Sequence, residues 1–81
     1  MEKHFEEAHR FSSHNRKGLE KDSICGCFYC LKIYHPNEIN EWWDNDDTAV
    51  CPHCGIDSVI GESSGAPITE VFLKGMHRVW F

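Results

Sequence analysis

The clearest apolar pattern lies near the carboxyl end of the chain. Over residues 68–80, apolar residues or glycine recur every three or four positions, as on one face of an α-helix. The members of this face are Ile68, Val71, Phe72, Gly75, Met76, Val79 and Trp80. Pro67 suits the first turn, and Glu70 pairs favourably with Lys74 one turn later. The pattern predicts an amphipathic helix that packs on a sheet, with Gly75 close to another backbone. A helix that binds a partner is the alternative.

Three shorter segments lie upstream, and the first of them is rich in strand-forming residues and alternates between apolar and polar positions. They predict strands over residues 31–35, 48–50 and 56–60, and a Gly/Ser loop follows the last of them over residues 61–66. Three strands of this length predict a small antiparallel sheet.

Pro36 separates the first two of these strands and is well placed to begin a helix. Residues 37–43 predict a short helix or helical turn, with an isoleucine and either Trp42 or Trp43 on its apolar side. Residues 44–47 form an acidic turn that lacks the ligand spacing of a calcium-binding loop, so a solvated turn is favoured.

The amino-terminal part of the chain is polar and leaves two alternatives open. Residues 1–10 predict either a mobile terminus or a short helix. One face of that helix would combine His4, Phe5, Ala8 and His9. Two serines then favour a second short helix over residues 14–21. We expect residues 1–22 to be a helical or partly flexible segment beside a domain formed by residues 23–81.

Four cysteines are the chemically most informative residues of the chain. Cys27 and Cys30 form one C-x-x-C motif, Cys51 and Cys54 form a second, and twenty residues separate the two motifs. Gly55, directly after the second motif, permits the positive φ that such turns often need. A C-x-x-C turn directs both thiolates to one point, and two such turns supply the four sulfurs of a tetrahedral zinc site. The motifs predict one Zn2+ per chain. Because four thiolates close the coordination shell, the predicted site is structural and not catalytic.

Two other kinds of chemistry use similar motifs. Iron is the alternative metal, because rubredoxin-like knuckles bind it with four thiolates and C-P-x-C-G is typical of them. Leu31 stands where rubredoxins usually have glycine, so zinc is favoured. The string Cys-Pro-His-Cys also occurs in strongly oxidising thioredoxin-fold proteins. Only twenty-seven residues follow it here, too few for the rest of that fold.

The remaining reactive side chains give weaker signals. Cys25 is the unpaired fifth cysteine, expected to be a small buried residue, and His53 lies inside a knuckle and is expected to point outward. The histidines His14 and His77 are isolated in sequence and predict surface or packed side chains. A catalytic site is the least favoured alternative. It would have to combine His14, His77, Asp57 or Ser58 beside the loop over residues 61–66.

Chain length and composition limit the number of domains and the class of partner. Eighty-one residues with 41% apolar content allow one domain, near the size at which a hydrophobic core alone is marginal and a structural metal is a common remedy. A net charge of −5 disfavours nucleic acid as the partner. The start of the chain has no apolar signal core, and no apolar run reaches membrane-spanning length. A reducing cytoplasm is therefore expected, where paired cysteines more often bind metal.

Several strings of residues resemble a family of small bacterial cytoplasmic proteins. They are CGCFYC, a Pro-x-Glu-Ile turn with tryptophan, CPHCGIDSVIG, SGAPIT and the ending MHRVWF, and together they cover roughly residues 25–81. The resemblance implies a zinc-ribbon or rubredoxin-like metal site at the C-x-x-C pairs. It implies no particular activity.

Together these observations predict an α+β protein. We expect a small zinc-ribbon-like antiparallel sheet of about three strands, with flanking amino- and carboxyl-terminal helices. The expected function is that of a structural zinc module that binds a protein partner through exposed aromatic side chains. The alternative is a zinc ribbon that binds nucleic acid, which the basic segment over residues 9–21 would favour.

Overall fold

A computed structural model describes residues 2–81 of the chain, with the side chains of residue 5 and residues 7–81. Its helices are α1 (Glu2–His9), α2 (Arg16–Leu19) and α3 (Glu70–Trp80). Its strands are β1 (Cys25–Cys27), β2 (Ile33–Tyr34), β3 (Trp42–Trp43), β4 (Thr48–Ala49) and β5 (Val59–Gly61). Single 3-10 turns lie at Arg10–Ser12, Pro36–Glu38 and Glu62–Ser64.

The strands form two antiparallel sheets. In the first, β1 lies between β2 and β5, with Cys25 opposite both Tyr34 and Gly61 and with Cys27 opposite Val59. In the second, β3 pairs with β4 as a hairpin. The predicted α+β class, with a three-stranded antiparallel sheet and flanking helices, is confirmed.

Two apolar clusters share β5. Successive residues of a strand point to opposite faces, and here Val59 belongs to one cluster while Ile60 belongs to the other. The cysteine-side cluster contains Leu19, Cys25, Cys27, Tyr34, Ile39, Ala49, Cys51 and Val59. The helix-side cluster contains Ala8, Phe28, Ile60, Leu73 and Met76. The three-stranded sheet thus lies between the cysteine-side cluster and the buried residues of α1 and α3.

Helix α3 begins later than the apolar pattern predicted. The hydroxyl of Thr69 accepts a hydrogen bond from the N–H of Phe72 at 3.2 Å and so caps the first turn. Placing Pro67 in the first turn was therefore wrong, because it lies ahead of this cap.

The buried face of α3 also differs from the predicted one. Leu73 and Met76 are completely buried, whereas Val71 is 81% exposed. At about 100° per residue, Leu73 and Met76 lie roughly 140–160° around the helix from Val71. Gly75 does meet a close neighbour, but that neighbour is the ring of Phe5 in α1 and not a backbone, and any side chain at this position would collide with it.

The helix predicted over residues 37–43 is wrong after its first turn. The Nδ1 of His35 accepts a hydrogen bond from the N–H of Asn37 at 3.0 Å and starts a 3-10 turn. This turn ends at Ile39, whose backbone is extended. Trp42 and Trp43 then lie in β3, because they pair with the strand that follows the acidic turn.

The acidic turn reverses the chain through left-handed backbone conformations. Asp44, Asn45 and Asp46 have φ angles of 56°, 61° and 64°. Asp and Asn tolerate this region better than other non-glycine residues, since their short side chains bond locally. The carboxylate of Asp44 accepts a bond from the hydroxyl of Thr48 at 2.9 Å. The run of Asp and Asn residues thus shapes the hairpin that holds the tryptophans.

The amino-terminal segment forms helix α1, so of the two alternatives left open the structure shows the short helix and not the mobile terminus. Phe5 packs against Phe72 with ring centroids 5.0 Å apart, and His9 stacks on Trp80 at 4.0 Å. Met1, the first residue of the predicted segment, lies outside the described residues. The second helix is shorter than predicted, because His14 has a φ of 51° and cannot continue a right-handed helix.

Asn15 joins this segment to both sheets. Its Nδ2 donates to the carbonyl of Val59 at 2.8 Å and to that of Phe11 at 2.9 Å. Its Oδ1 accepts the N–H of Ala49 at 3.0 Å. The side chain therefore links β5, β4 and the chain ahead of α2. Further hydrogen bonds join residues on the two sides of the boundary after residue 22, including one from the N–H of Ser63 to the carboxylate of Asp22. The division between residues 1–22 and 23–81 stays a prediction.

We predict that Asn15→Ala lowers the free energy of unfolding by at least about 2 kcal/mol, because the buried Ala49 N–H and Val59 carbonyl lose their partners. Denaturant unfolding in excess Zn2+ measures this loss. Asn40→Ala, at an exposed position, is the control and should change stability by less than about 0.5 kcal/mol. Equal stabilities for the two variants would contradict the role given to Asn15.

Candidate metal centre

The two C-x-x-C motifs fold into knuckles with the same backbone hydrogen bonds. In the first, the N–H of Cys27 donates to the carbonyl of Lys32 at 3.0 Å, and the N–H of Leu31 donates to the carbonyl of Cys27 at 2.8 Å. In the second, Cys51 makes the equivalent bonds with Ile56 and Gly55, both at 2.9 Å. One turn geometry is therefore built twice from different sequences.

Each knuckle needs a left-handed residue directly after its second cysteine. Gly55 has a φ of 78°, as its glycine predicted, and Leu31 has a φ of 67°. A non-glycine residue in this conformation costs about 1–2 kcal/mol. The side chain of Leu31 packs against the helix-side cluster, and this contact offsets the cost. Leucine can thus replace the glycine that rubredoxin-like knuckles usually have.

The four sulfurs converge on one point. The Sγ atoms of Cys27, Cys30, Cys51 and Cys54 all lie within 4.8 Å of one another. The Cys27–Cys54 pair is 3.6 Å apart and the Cys30–Cys51 pair is 3.7 Å apart. A tetrahedron with metal–sulfur bonds of about 2.3 Å has sulfurs roughly 3.8 Å apart. The arrangement is therefore compatible with one metal ion bound by all four cysteines.

Backbone amides already point at two of these sulfurs. The N–H groups of Tyr29 and Cys30 donate to the sulfur of Cys27 at 3.3 Å and 3.4 Å. The N–H of His53 donates to the sulfur of Cys51 at 3.4 Å. Such bonds favour the thiolate form, which is the form that binds a metal.

The sulfurs differ in burial and in affinity for protons. Burial raises the pKa of Cys30 to about 11, although the N–H of Lys32 acts in the opposite direction. Burial also raises the pKa of Cys54. For Cys51, burial again raises the pKa, but the Tyr34 hydroxyl and neighbouring backbone N–H groups outweigh it and lower the pKa. The thiols of Cys30 and Cys54 therefore hold their protons at neutral pH unless a cation replaces them.

Cys25 is not a member of the sulfur cluster. Its side chain is completely buried in β1, as expected for a small core residue. Burial raises the pKa of Cys25 to about 12, so the thiol stays protonated at neutral pH. Its contacts are those of the cysteine-side cluster, and its role is packing.

The two histidines considered for a catalytic site have different hydrogen-bond partners. His14 lies 3.1 Å from the carboxylate of Asp47, whereas His77 lies 3.2 Å from the carbonyl oxygen of Phe28. Ser58 is buried beside a cysteine sulfur. Among the described side chains, no hydrogen bond or ring contact joins the two histidines. His53 is exposed, as expected.

The sequence did not indicate where two buried residues with hydroxyl groups would lie. Ser58 precedes β5 and places its Oγ 2.9 Å from the sulfur of Cys27. Tyr34 lies in β2, opposite Cys25, with its hydroxyl oxygen buried. The alternation over residues 31–35 predicted a strand, but not that Tyr34 would be buried while Ile33 is 39% exposed.

Comparison of the chain with protein-family models, with curated proteins and with solved structures gives no match. The resemblance to a family of small bacterial proteins therefore stays an expectation. Within residues 2–81, none of the helices combines the length and the apolar character needed to cross a membrane.

We predict that Gly55→Ala lowers the stability of the metal-loaded protein by about 1–2 kcal/mol. A Cβ at this position meets no atom within 4 Å, so the cost comes from the backbone alone. Gly55→Asn is the matched control and should lose less, because Asn tolerates left-handed conformations. Thermal unfolding measures both. A larger loss for Gly55→Asn would contradict this explanation.

We predict that metal binding at pH 7 releases about two or more protons, because Cys30 and Cys54 hold protons until a cation binds. Both pKa values lie above 7, so the number released falls as the pH rises through them, and affinity weakens as the pH falls. Calorimetric titration with Zn2+ in buffers of different ionisation enthalpy counts the protons. Release of fewer than one proton would contradict the assignment of these thiols as ligands.

Proposed function

We propose that the chain is a non-enzymatic zinc-binding module that binds a protein partner. The observation that supports the metal most directly is the convergence of four cysteine sulfurs within 4.8 Å, at separations close to those of a tetrahedral site. Four thiolates leave no open coordination position for a substrate. A structural role for the ion is therefore favoured over a catalytic one.

Zinc is the proposed metal. Zinc and iron both accept four thiolates in similar geometry, so the sulfur positions alone favour neither. The first knuckle has Leu31 in place of the glycine typical of rubredoxins, and this departure favours zinc. Zinc also has no redox chemistry, which suits an ion that holds a fold together.

The proposed ion contributes to folding because it joins distant parts of the chain. Cys27 ends β1, while Cys51 and Cys54 lie beyond the β3–β4 hairpin. In small zinc-binding peptides the metal contributes an apparent ~10–16 kcal/mol, much of it as folding free energy. A chain of 81 residues has a small core, so a contribution of this size decides whether it folds.

The proposed partner is a protein in the cytoplasm. Trp43, Trp80 and Phe81 are 43%, 40% and 58% exposed, and aromatic side chains are enriched in protein interfaces. Trp42 is less available, because the guanidinium of Arg16 lies 4.6 Å from the centroid of its ring. The net charge of −5, made more negative by four thiolates, disfavours binding to nucleic-acid phosphates.

We predict one zinc ion per chain by elemental analysis of protein purified without added metal. Cys54→Ser should lower the zinc content well below one equivalent, because a serine hydroxyl is a much weaker zinc ligand than a thiolate. Cys25→Ala is the matched control, since Cys25 lies outside the sulfur cluster, and should retain one ion. Retention of a full equivalent of zinc by Cys54→Ser would contradict the proposed ligand set.

We predict that the tagged chain captures a protein from its native host at physiological salt, also after nuclease treatment. Trp43→Ser or Phe81→Ser should abolish capture. Val71→Ser, at an exposed apolar residue that is not aromatic, should leave it unchanged. Salt-sensitive retention on DNA or RNA, with no captured protein, would contradict this part of the proposal and support the nucleic-acid alternative.

A further inference from the structure

Ser58 is a buried serine whose hydroxyl lies beside a sulfur of the candidate metal centre. Its side chain is 1% exposed, and its Oγ lies 2.9 Å from the Sγ of Cys27. Cys27 is completely buried, so water does not compete for this bond. A metal-bound thiolate has no proton to donate. When Cys27 binds a metal ion, Ser58 must therefore be the donor.

Tyr34 is a second buried residue with a hydroxyl, and it belongs to the cluster that contains Cys27 and Cys51. The residue is 7% exposed, and its hydroxyl oxygen has no hydrogen-bond partner among the described residues. The ring is held edge-on against His53, a residue of the second knuckle, with centroids 4.9 Å apart. A buried hydroxyl without a partner is costly, and a thiolate in this cluster is an acceptor that would satisfy it.

We propose that Ser58 and Tyr34 are positioning residues for the bound ion, and that their hydroxyls donate hydrogen bonds to the buried sulfurs of Cys27 and Cys51. The inference rests on the proposed metal site. It adds a division of the site into an inner pair of sulfurs, which receive hydroxyl hydrogens, and an outer pair, Cys30 and Cys54, which do not.

The division follows from burial as well as from the donors. Cys27 and Cys51 are 0% and 2% exposed, whereas Cys30 and Cys54 are partly exposed. Cys27 also accepts two backbone N–H groups, and Cys51 accepts that of His53. Hydrogen bonds withdraw negative charge from a sulfur and lower its reactivity. Metal exchange and attack by electrophiles therefore begin at Cys30 and Cys54.

Cobalt provides a spectroscopic test, because the energy of sulfur-to-cobalt charge transfer depends on the electron density of the sulfurs. Ser58→Ala and Tyr34→Phe should each move this band to longer wavelength and weaken Co2+ binding about 10- to 100-fold. Ser12→Ala is the control for Ser58, since its buried hydroxyl donates to the carbonyl of His9 instead. Tyr29→Phe, at the 42% exposed tyrosine, is the control for Tyr34.

Both controls should keep the wild-type band position. The inference is overturned if Ser58→Ala and Tyr34→Phe also keep it.

The unmodified chain gives a second test that does not depend on how the variants fold. With cadmium-113 bound, scalar coupling from the metal to the hydroxyl protons of Ser58 and Tyr34 should appear across the O–H···S bonds. Coupling to all four cysteines without either hydroxyl coupling would also overturn the inference.

The two proposals fail in different ways. If the wild-type chain binds neither Co2+ nor Cd2+, the proposed metal site itself is contradicted. If the wild-type chain binds both ions through four sulfurs and the hydroxyl variants are indistinguishable from it, only the positioning role of Ser58 and Tyr34 is lost.

Discussion

Four sulfur atoms within 4.8 Å of one another are the constraint on which the structure depends. Four thiolates at this separation repel one another strongly unless a cation lies between them. If the cysteines are thiols instead, burial favours the form that keeps its proton. The two knuckles nevertheless orient these groups toward a single point with matching backbone bonds. The proposed divalent ion would convert this repulsion into an interaction that joins β1 to the chain beyond the β3–β4 hairpin.

Two other parts of the fold support the convergence of the four sulfurs. Strand β5 pairs with β1 and presents Val59 to the cysteine-side cluster and Ile60 to the helix-side cluster. Asn15 bonds to both sheets and holds the amino-terminal segment between them. Cys27 and Cys51 are thus enclosed by the fold, while Cys30 and Cys54 are partly exposed.

The sequence predicted the features that depend on local chemistry. The spacing of the cysteines, the left-handed glycine at Gly55 and the helical repeat of α3 are properties of short segments, and the structure contains all three arrangements. It did not predict features set by distant partners. Val71 is exposed because Phe5 and the sheet fix the orientation of α3, and Trp42 is a strand residue because it pairs with Ala49. The hydroxyl of Ser58 belongs to the same class, since only the folded chain places it beside a sulfur.

The most direct measurement compares cooperative thermal unfolding of one sample before chelation, after chelation and after zinc is restored. Because the core of this chain is small and the proposed ion joins its two knuckles, we predict that the cooperative transition disappears when the metal is removed. It should return when one equivalent of Zn2+ is added. A transition that stays equally cooperative at the same temperature in the fully stripped protein would contradict the account.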